Sequence, residues 1–164
     1  MELFHVSCKN YKVGELIISE NFKETEYYKE SESKNMNWID DFLDSTRPEG
    51  YPKRQSSLFA FDCIDNCFAF IDGPIRRKGI KYYKVKMNNP IGCPMCLTDS
   101  LVQDDYEHNT KIAKEYWSPK EDWKFMEYLS NSMEIIEILE DPIFEEKIKG
   151  KFNYNQDYQK RKKL

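Results

Sequence analysis

The stretch Arg54-Gln55-Ser56-Ser57-Leu58-Phe59-Ala60-Phe61-Asp62 gathers a guanidinium, two hydroxyls and an aromatic ring within six residues. An extended strand with Arg54, Ser57 and Phe59 at its entrance can set forked donors, a hydroxyl and a ring face along one wall of a cleft. That combination suits a flat, phosphate-bearing ligand. For Arg54 a surface ion pair is the alternative, and for Phe59 plain burial. His5 shares one face of a strand with Leu3 and Ser7, although a lone histidine is more often a satisfied polar residue than a catalyst. Glu127 falls between Phe125 and Leu129 in an alternating run, which turns a carboxylate toward the same side as two apolar residues. An unpaired acid there costs several kcal/mol, so the pattern points to a functional site or a salt bridge.

The elements that must position these side chains read as a mixture of strands and helices, an α+β chain. Residues 3–7 alternate as a strand, and Gly14 turns the chain into a second short extended piece at 15–18. The polar run 21–37 reads as a flexible connection or an exposed helix. Trp38, Ile39, Phe42 and Leu43 recur at helical spacing before the stop at Arg47-Pro48. Asp62 can cap a helix running to Ile71, and residues 80–87 read as a strand. Two prolines and a glycine in 88–94 predict a loop. Residues 97–117 predict one long helix, or two broken near Glu107-His108-Asn109. Ser118-Pro119-Lys120-Glu121 has capping-box spacing and predicts a further helical turn. Strands around 125–129 and 133–139 follow, joined by Ser130-Asn131-Ser132. One domain over 1–150 and a basic tail over 151–164 complete the expected organisation.

Composition narrows the function classes. With 29 acids against 25 bases the net charge of −4 gives no general drive toward nucleic acid or anionic lipid. No apolar run approaches the roughly 18 residues of a membrane span, and residues 1–5 do not start as a signal peptide does, so the expected address is cytoplasmic with no membrane partner. Five cysteines, Cys8, Cys63, Cys67, Cys93 and Cys96, make an odd number in such a chain and argue against a disulfide framework. Cys93-Pro94-Met95-Cys96 has the spacing of a zinc knuckle. Cys63 and Cys67 lie on an apolar helical face, so buried reduced thiols are the expected state and no metal is assigned.

Three pieces in a fixed order carry a resemblance: Leu3-Phe4-His5-Val6-Ser7, then Arg54 to Phe61, then Glu115-Tyr116-Trp117 with Trp123-Lys124-Phe125-Met126-Glu127-Tyr128-Leu129. Together they resemble an uncharacterised bacterial and phage family similar to a branch of the ADP-ribosyltransferase superfamily. The opening is also similar to the Tyr-His-x-Thr start of diphtheria-toxin-like and rifampicin ADP-ribosyltransferases. The resemblance implies a split β-sheet core with peripheral helices and NAD as co-substrate. It implies transfer of ADP-ribose to a protein, nucleic-acid or small-molecule acceptor, in a toxin or phage or bacterial conflict factor that meets an antitoxin or a host target protein. By residue, it gives His5 the adenosine ribose, with Ser7 beside it. Arg54 takes the pyrophosphate, Ser57 orients the site, Phe59 stacks on nicotinamide and Glu127 is the catalytic acid at the other ribose.

The chain departs from that pattern in three ways. Phe59 stands where many transferases have Tyr. The only acid in the loop after the middle strand is Asp99, which competes with Glu127 for the role of key acid. Phe125 occupies the first position of what would be a Glu-x-Glu pair, which disfavours arginine as acceptor. Two other readings stand beside the transferase: an inactive binding or inhibitor protein on the same fold, and a small zinc-stabilised interaction module.

Overall fold

Alternating strands with one apolar face need a partner layer, and here most of them find it in a single antiparallel sheet flanked by helices. The computed structural model describes residues 1–19, 26–64, 66–67, 80–120 and 122–139. Among these, seven strands pair in the order β2-β7-β4-β1-β3-β6-β5. They are β1 Leu3–Ser7, β2 Leu16–Ile18, β3 Leu58–Phe61, β4 Lys81–Met87, β5 Ile91–Pro94, β6 Met126–Ser130 and β7 Ser132–Leu139. The helices are α1 Glu26–Ser33, α2 Asn37–Ser45 and α3 Tyr106–Trp117. The result is a mixed α and β domain with an open sheet and peripheral helices.

The sheet cannot be flat. Asn131 alone separates β6 from β7, yet the two strands stand four positions apart in the sheet order. Four interstrand spacings come to about 19 Å, whereas the two peptide links from Ser130 to Ser132 reach about 7 Å. The sheet therefore folds over, and one limb (β2, β7, β4, β1) meets the other (β3, β6, β5) along β1 and β3. That seam is narrow, its ladder matching Phe4 with Phe61. At the fold the Ser130 hydroxyl donates to the carbonyls of Asn88 and Ser132, and Ser19 N donates to the Asn131 carbonyl.

Burial follows the faces of this folded sheet. Leu3, Tyr83, Val85, Met87, Met133 and Ile135 from the first limb pack with Ala60 from the second, and Leu58, Tyr11 and Tyr128 close on them. On the opposite face Leu43, Tyr116, Trp117 and Leu129 form a second core under α2 and α3, and Phe61, Tyr82, Met95 and Phe125 a third.

Several expectations from sequence are corrected. Residues 91–94 form a strand, because β5 lies at the sheet edge and pairs on one side with β6, which a bounding proline permits. The break before α3 falls at 101–105, where Asp105 caps the helix by accepting from His108 N. Glu107-His108-Asn109 is thus inside the first turns. Arg54–Ser56 is a 3-10 turn leading into β3, so Arg54 sits before the strand. Ser118, Pro119 and Lys120 are not helical. By contrast, of the two readings of the polar run 21–37 the helix is the one that holds, with α1 lying within it. Beyond Cys67 the helix expected to Ile71 lies outside the described residues, as does the basic tail 151–164.

Candidate functional site

Arg54 is the centre of a buried charge cluster. The 3-10 turn that carries it is held by Asp44, whose carboxylate accepts from Arg54 N at 2.6 Å and Gln55 N at 3.2 Å. Burial pushes the Asp44 carboxyl above its ordinary range, and the two backbone donors and the Arg54 charge pull it back. From this turn the guanidinium reaches between layers. Its Nε donates to Asp40 Oδ1 at 2.6 Å, and Nη1 donates to Glu127 Oε1 and to the Tyr116 hydroxyl. Tyr116 passes the chain on, donating to Glu127 Oε1 at 2.6 Å. The rings of Phe59 and Tyr116 flank the cation, with centroids 5.0 and 5.3 Å from Cζ. Only 5% of Arg54 and 2% of Glu127 remain exposed, so the pair is an internal strut tying β6 to α2 and α3.

Cys93, paired across the ladder with Glu127, lies in the same cluster. Burial first, and then the Glu127 charge, push its thiol up to about 12, which keeps it protonated. Burial likewise raises the Tyr116 phenol well above its ordinary value. None of the five cysteines is held in a disulfide. Cys67 packs in the Phe61 core and Cys93 and Cys96 in the Trp117 core.

His5 belongs elsewhere. In β1 it pairs with Tyr83, and its neighbour Phe4 pairs with Phe61. Phe61 in turn pairs with Glu127. Paired residues share a face and consecutive residues alternate, so Glu127 lies on the Phe4 face and His5 on the other. Phe59, two residues before Phe61, faces with Glu127. The sequence-derived set therefore divides. Arg54, Phe59 and Glu127 come together in the buried cluster, while His5 and Ser7 lie on the opposite face of the sheet. Ser57 ends the 3-10 turn with its hydroxyl donating to the Lys53 carbonyl at 2.6 Å. Asp99 lies in the 3-10 segment Met95–Ser100.

The His5 ring is set in one tautomer. Its Nδ1 lies 2.7 Å from the Phe59 carbonyl oxygen, which can only accept, so Nδ1 carries the proton and Nε2 is a bare acceptor. Nε2 has no hydrogen-bond partner among the described residues, and the residue keeps partial exposure. Burial lowers its pKa to about 4 against the opposing pull of the Phe59 carbonyl, so the ring is neutral at pH 7. Tyr11 and Tyr83 stand around it with ring centroids at 6.2 and 6.4 Å. The Tyr83 hydroxyl fixes the chain after β1, donating to the Lys9 carbonyl at 2.7 Å and accepting from Tyr11 N at 3.2 Å. Ser7 Oγ accepts from Lys9 N at 3.1 Å.

Asp40, Tyr116, Tyr11, Tyr83 and Tyr128 are absent from the sequence-derived set. Asp40 had a signal, since it shares the helical run of Trp38 and Leu43 and meets Arg54 from the buried side. Tyr128 had one too, because alternation puts it opposite Glu127. No group of three or more potential metal ligands occurs among the described residues, and no helix among them is long and apolar enough to cross a membrane. A scan of protein-family models finds no match to the chain, and no curated protein matches it.

Proposed function

We propose that this chain binds NAD along the His5 face of the seam between its two limbs and transfers the ADP-ribose to an acceptor, as the ADP-ribosyltransferases it resembles do. The observation that carries the reading is the state of His5. A histidine on the first strand, anchored through Nδ1 and offering Nε2 as an acceptor beside Ser7, is arranged to take a ribose hydroxyl. The folded sheet, with limbs meeting along β1 and β3, fits the split core expected of that superfamily. In the reaction the bond between ribose C1′ and the nicotinamide nitrogen breaks with its electrons leaving on nicotinamide, and an acceptor nucleophile bonds to C1′ and loses its proton. The acceptor class stays open among protein, nucleic acid and small molecule.

Arg54, Phe59 and Glu127 support the fold in this reading, and the ligand is met by residues of the opposite face. The engagement of Glu127 by Arg54 and Tyr116 favours one second reading, a protein that binds NAD without cleaving it. NAD labelled in the nicotinamide separates the two. Saturable binding with release of free nicotinamide supports transfer, and binding without release supports the inactive relative. His5→Ala should weaken binding under both, and failure of the wild-type protein to bind NAD overturns both.

A further inference from the structure

Charge is divided along this chain. Residues 151–164, outside the described part, hold five bases and one acid, with Phe152, Tyr154 and Tyr158 ahead of the run Lys160-Arg161-Lys162-Lys163. Residues 1–150 hold 20 bases and 28 acids, so an acidic body carries a basic and aromatic end. Within the body, residues 87–110 contain four acids and no Lys or Arg. Three of these acids, Asp104, Asp105 and Glu107, lie exposed at the start of α3, interleaved with two exposed apolar residues, Val102 and Tyr106. Neither apolar residue is free to turn inward. Asn109 holds both the N–H and the carbonyl of Val102, Asp105 N donates to the same carbonyl at 3.3 Å, and the Tyr106 ring stands edge-on to Phe42 of α2 with centroids 6.0 Å apart. Glu107 meets Lys111 at 2.9 Å, a pair exposed enough to exchange partners. The start of α3 thus presents a fixed apolar surface with an acidic border.

We infer that this surface is the dock of the chain's own C-terminal segment, with the aromatic residues of 152–158 on Val102 and Tyr106 and the bases of 160–163 on the acids beside them. An apolar surface alone would not choose its occupant, but the charge pattern does. Leu16, Ile18 and Ile136 are exposed as well, yet there Glu134, the ladder partner of Leu16, is matched across the next ladder by Lys86, which leaves little to attract a basic segment. Chain length permits the contact. Strand β7 ends at Leu139, and residues 140–150 can span at most about 36–40 Å, enough to cross a domain whose radius of gyration is about 15 Å. Tethering holds the segment at an effective concentration on the order of millimolar, so a modest contact suffices, whereas a second copy would have to supply the same segment from dilute solution. The dock does not depend on the NAD reading.

The test is carbodiimide crosslinking of the full chain, which joins a lysine to a carboxylate in direct contact, followed by mass spectrometry of the linked peptides. An equal mixture of normal and heavy-nitrogen-labelled chains separates links within a chain from links between chains. Lys160, Lys162 and Lys163 should link to Asp104, Asp105 or Glu107 within one chain, several times more often than to Glu134, and these links should fade at high salt. Val102→Ser combined with Tyr106→Ser, both at exposed positions and with folding checked by circular dichroism, should cut their yield severalfold. Lysines of the segment linked evenly over the exposed acids, or an unchanged yield in the double variant, overturns the dock. Links found only between chains make the occupant a second copy and overturn the tethered contact.

Discussion

The imidazole of His5 and the carboxylate of Glu127 lie on opposite faces of the same sheet, two strands apart. The link is short: Phe4 pairs with Phe61 and Phe61 with Glu127, so Glu127 shares the Phe4 face and His5 the other. One cleft cannot present both groups to a ligand. The imidazole looks into the seam with a free acceptor nitrogen, and the carboxylate closes a charge network beneath α2 and α3.

Removing that carboxylate should be a stability defect first. Glu127→Ala leaves Arg54 buried with Asp40 and should lower the unfolding free energy by about 3–5 kcal/mol. Glu127→Gln keeps an acceptor oxygen for Tyr116 and should cost about 1–3 kcal/mol. Urea denaturation measures both, and the folded Gln variant should bind NAD as wild type does. A Glu127→Gln protein of normal stability that binds NAD but releases no nicotinamide would return the carboxylate to the chemistry.

The pH dependence of stability should carry the signature of His5. Its pKa is lowered from 6.5 to about 4 in the folded chain, so the unfolded chain takes up the proton first. Stability from this group is complete above about pH 6.5 and is lost as pH falls toward 4, by roughly 3 kcal/mol at most. His5→Asn, whose amide can still donate to the Phe59 carbonyl, should flatten that component. Equal changes in unfolding free energy between pH 7 and 4.5 for wild type and variant would show that the imidazole is not the group responsible.

Gly92→Ala probes the Tyr128 ring from behind. The new methyl would meet Tyr128 Cε1 at 3.0 Å and Met126 Cε at 3.4 Å, so the ring must shift by a few tenths of an ångström. On an edge strand the stability cost should stay near 1 kcal/mol. Urea denaturation of wild type and variant measures this, and an unchanged midpoint would mean that the Tyr128 and Met126 side chains yield to the methyl without cost.

Asn109 should prove structural. Its amide donates to the Val102 carbonyl at 2.7 Å and its Oδ1 accepts from Val102 N at 2.9 Å, clamping the connection into α3. Asn109→Ala should cost about 1–2 kcal/mol, since Val102 is exposed and water can replace part of the clamp. Chemical denaturation with an unchanged midpoint would contradict this role.

Local patterning was legible without coordinates. Alternation through Phe125, Glu127 and Leu129 put Glu127 on a buried side, and helical spacing of Trp38, Ile39, Phe42 and Leu43 marked α2. The cost of burying an acid required a partner for Glu127. Which partner it found, Arg54 at a separation of 73 residues, was decided by the tertiary structure, as was the separation of His5 from both. The physical reason lies in how strands encode direction. Period-two alternation states which side of its own strand a side chain takes, whereas whether two strands present those sides to the same space depends on pairing and register between distant segments. That register, Phe4 against Phe61, is set by packing on both faces of the folded sheet, where no single segment holds the information.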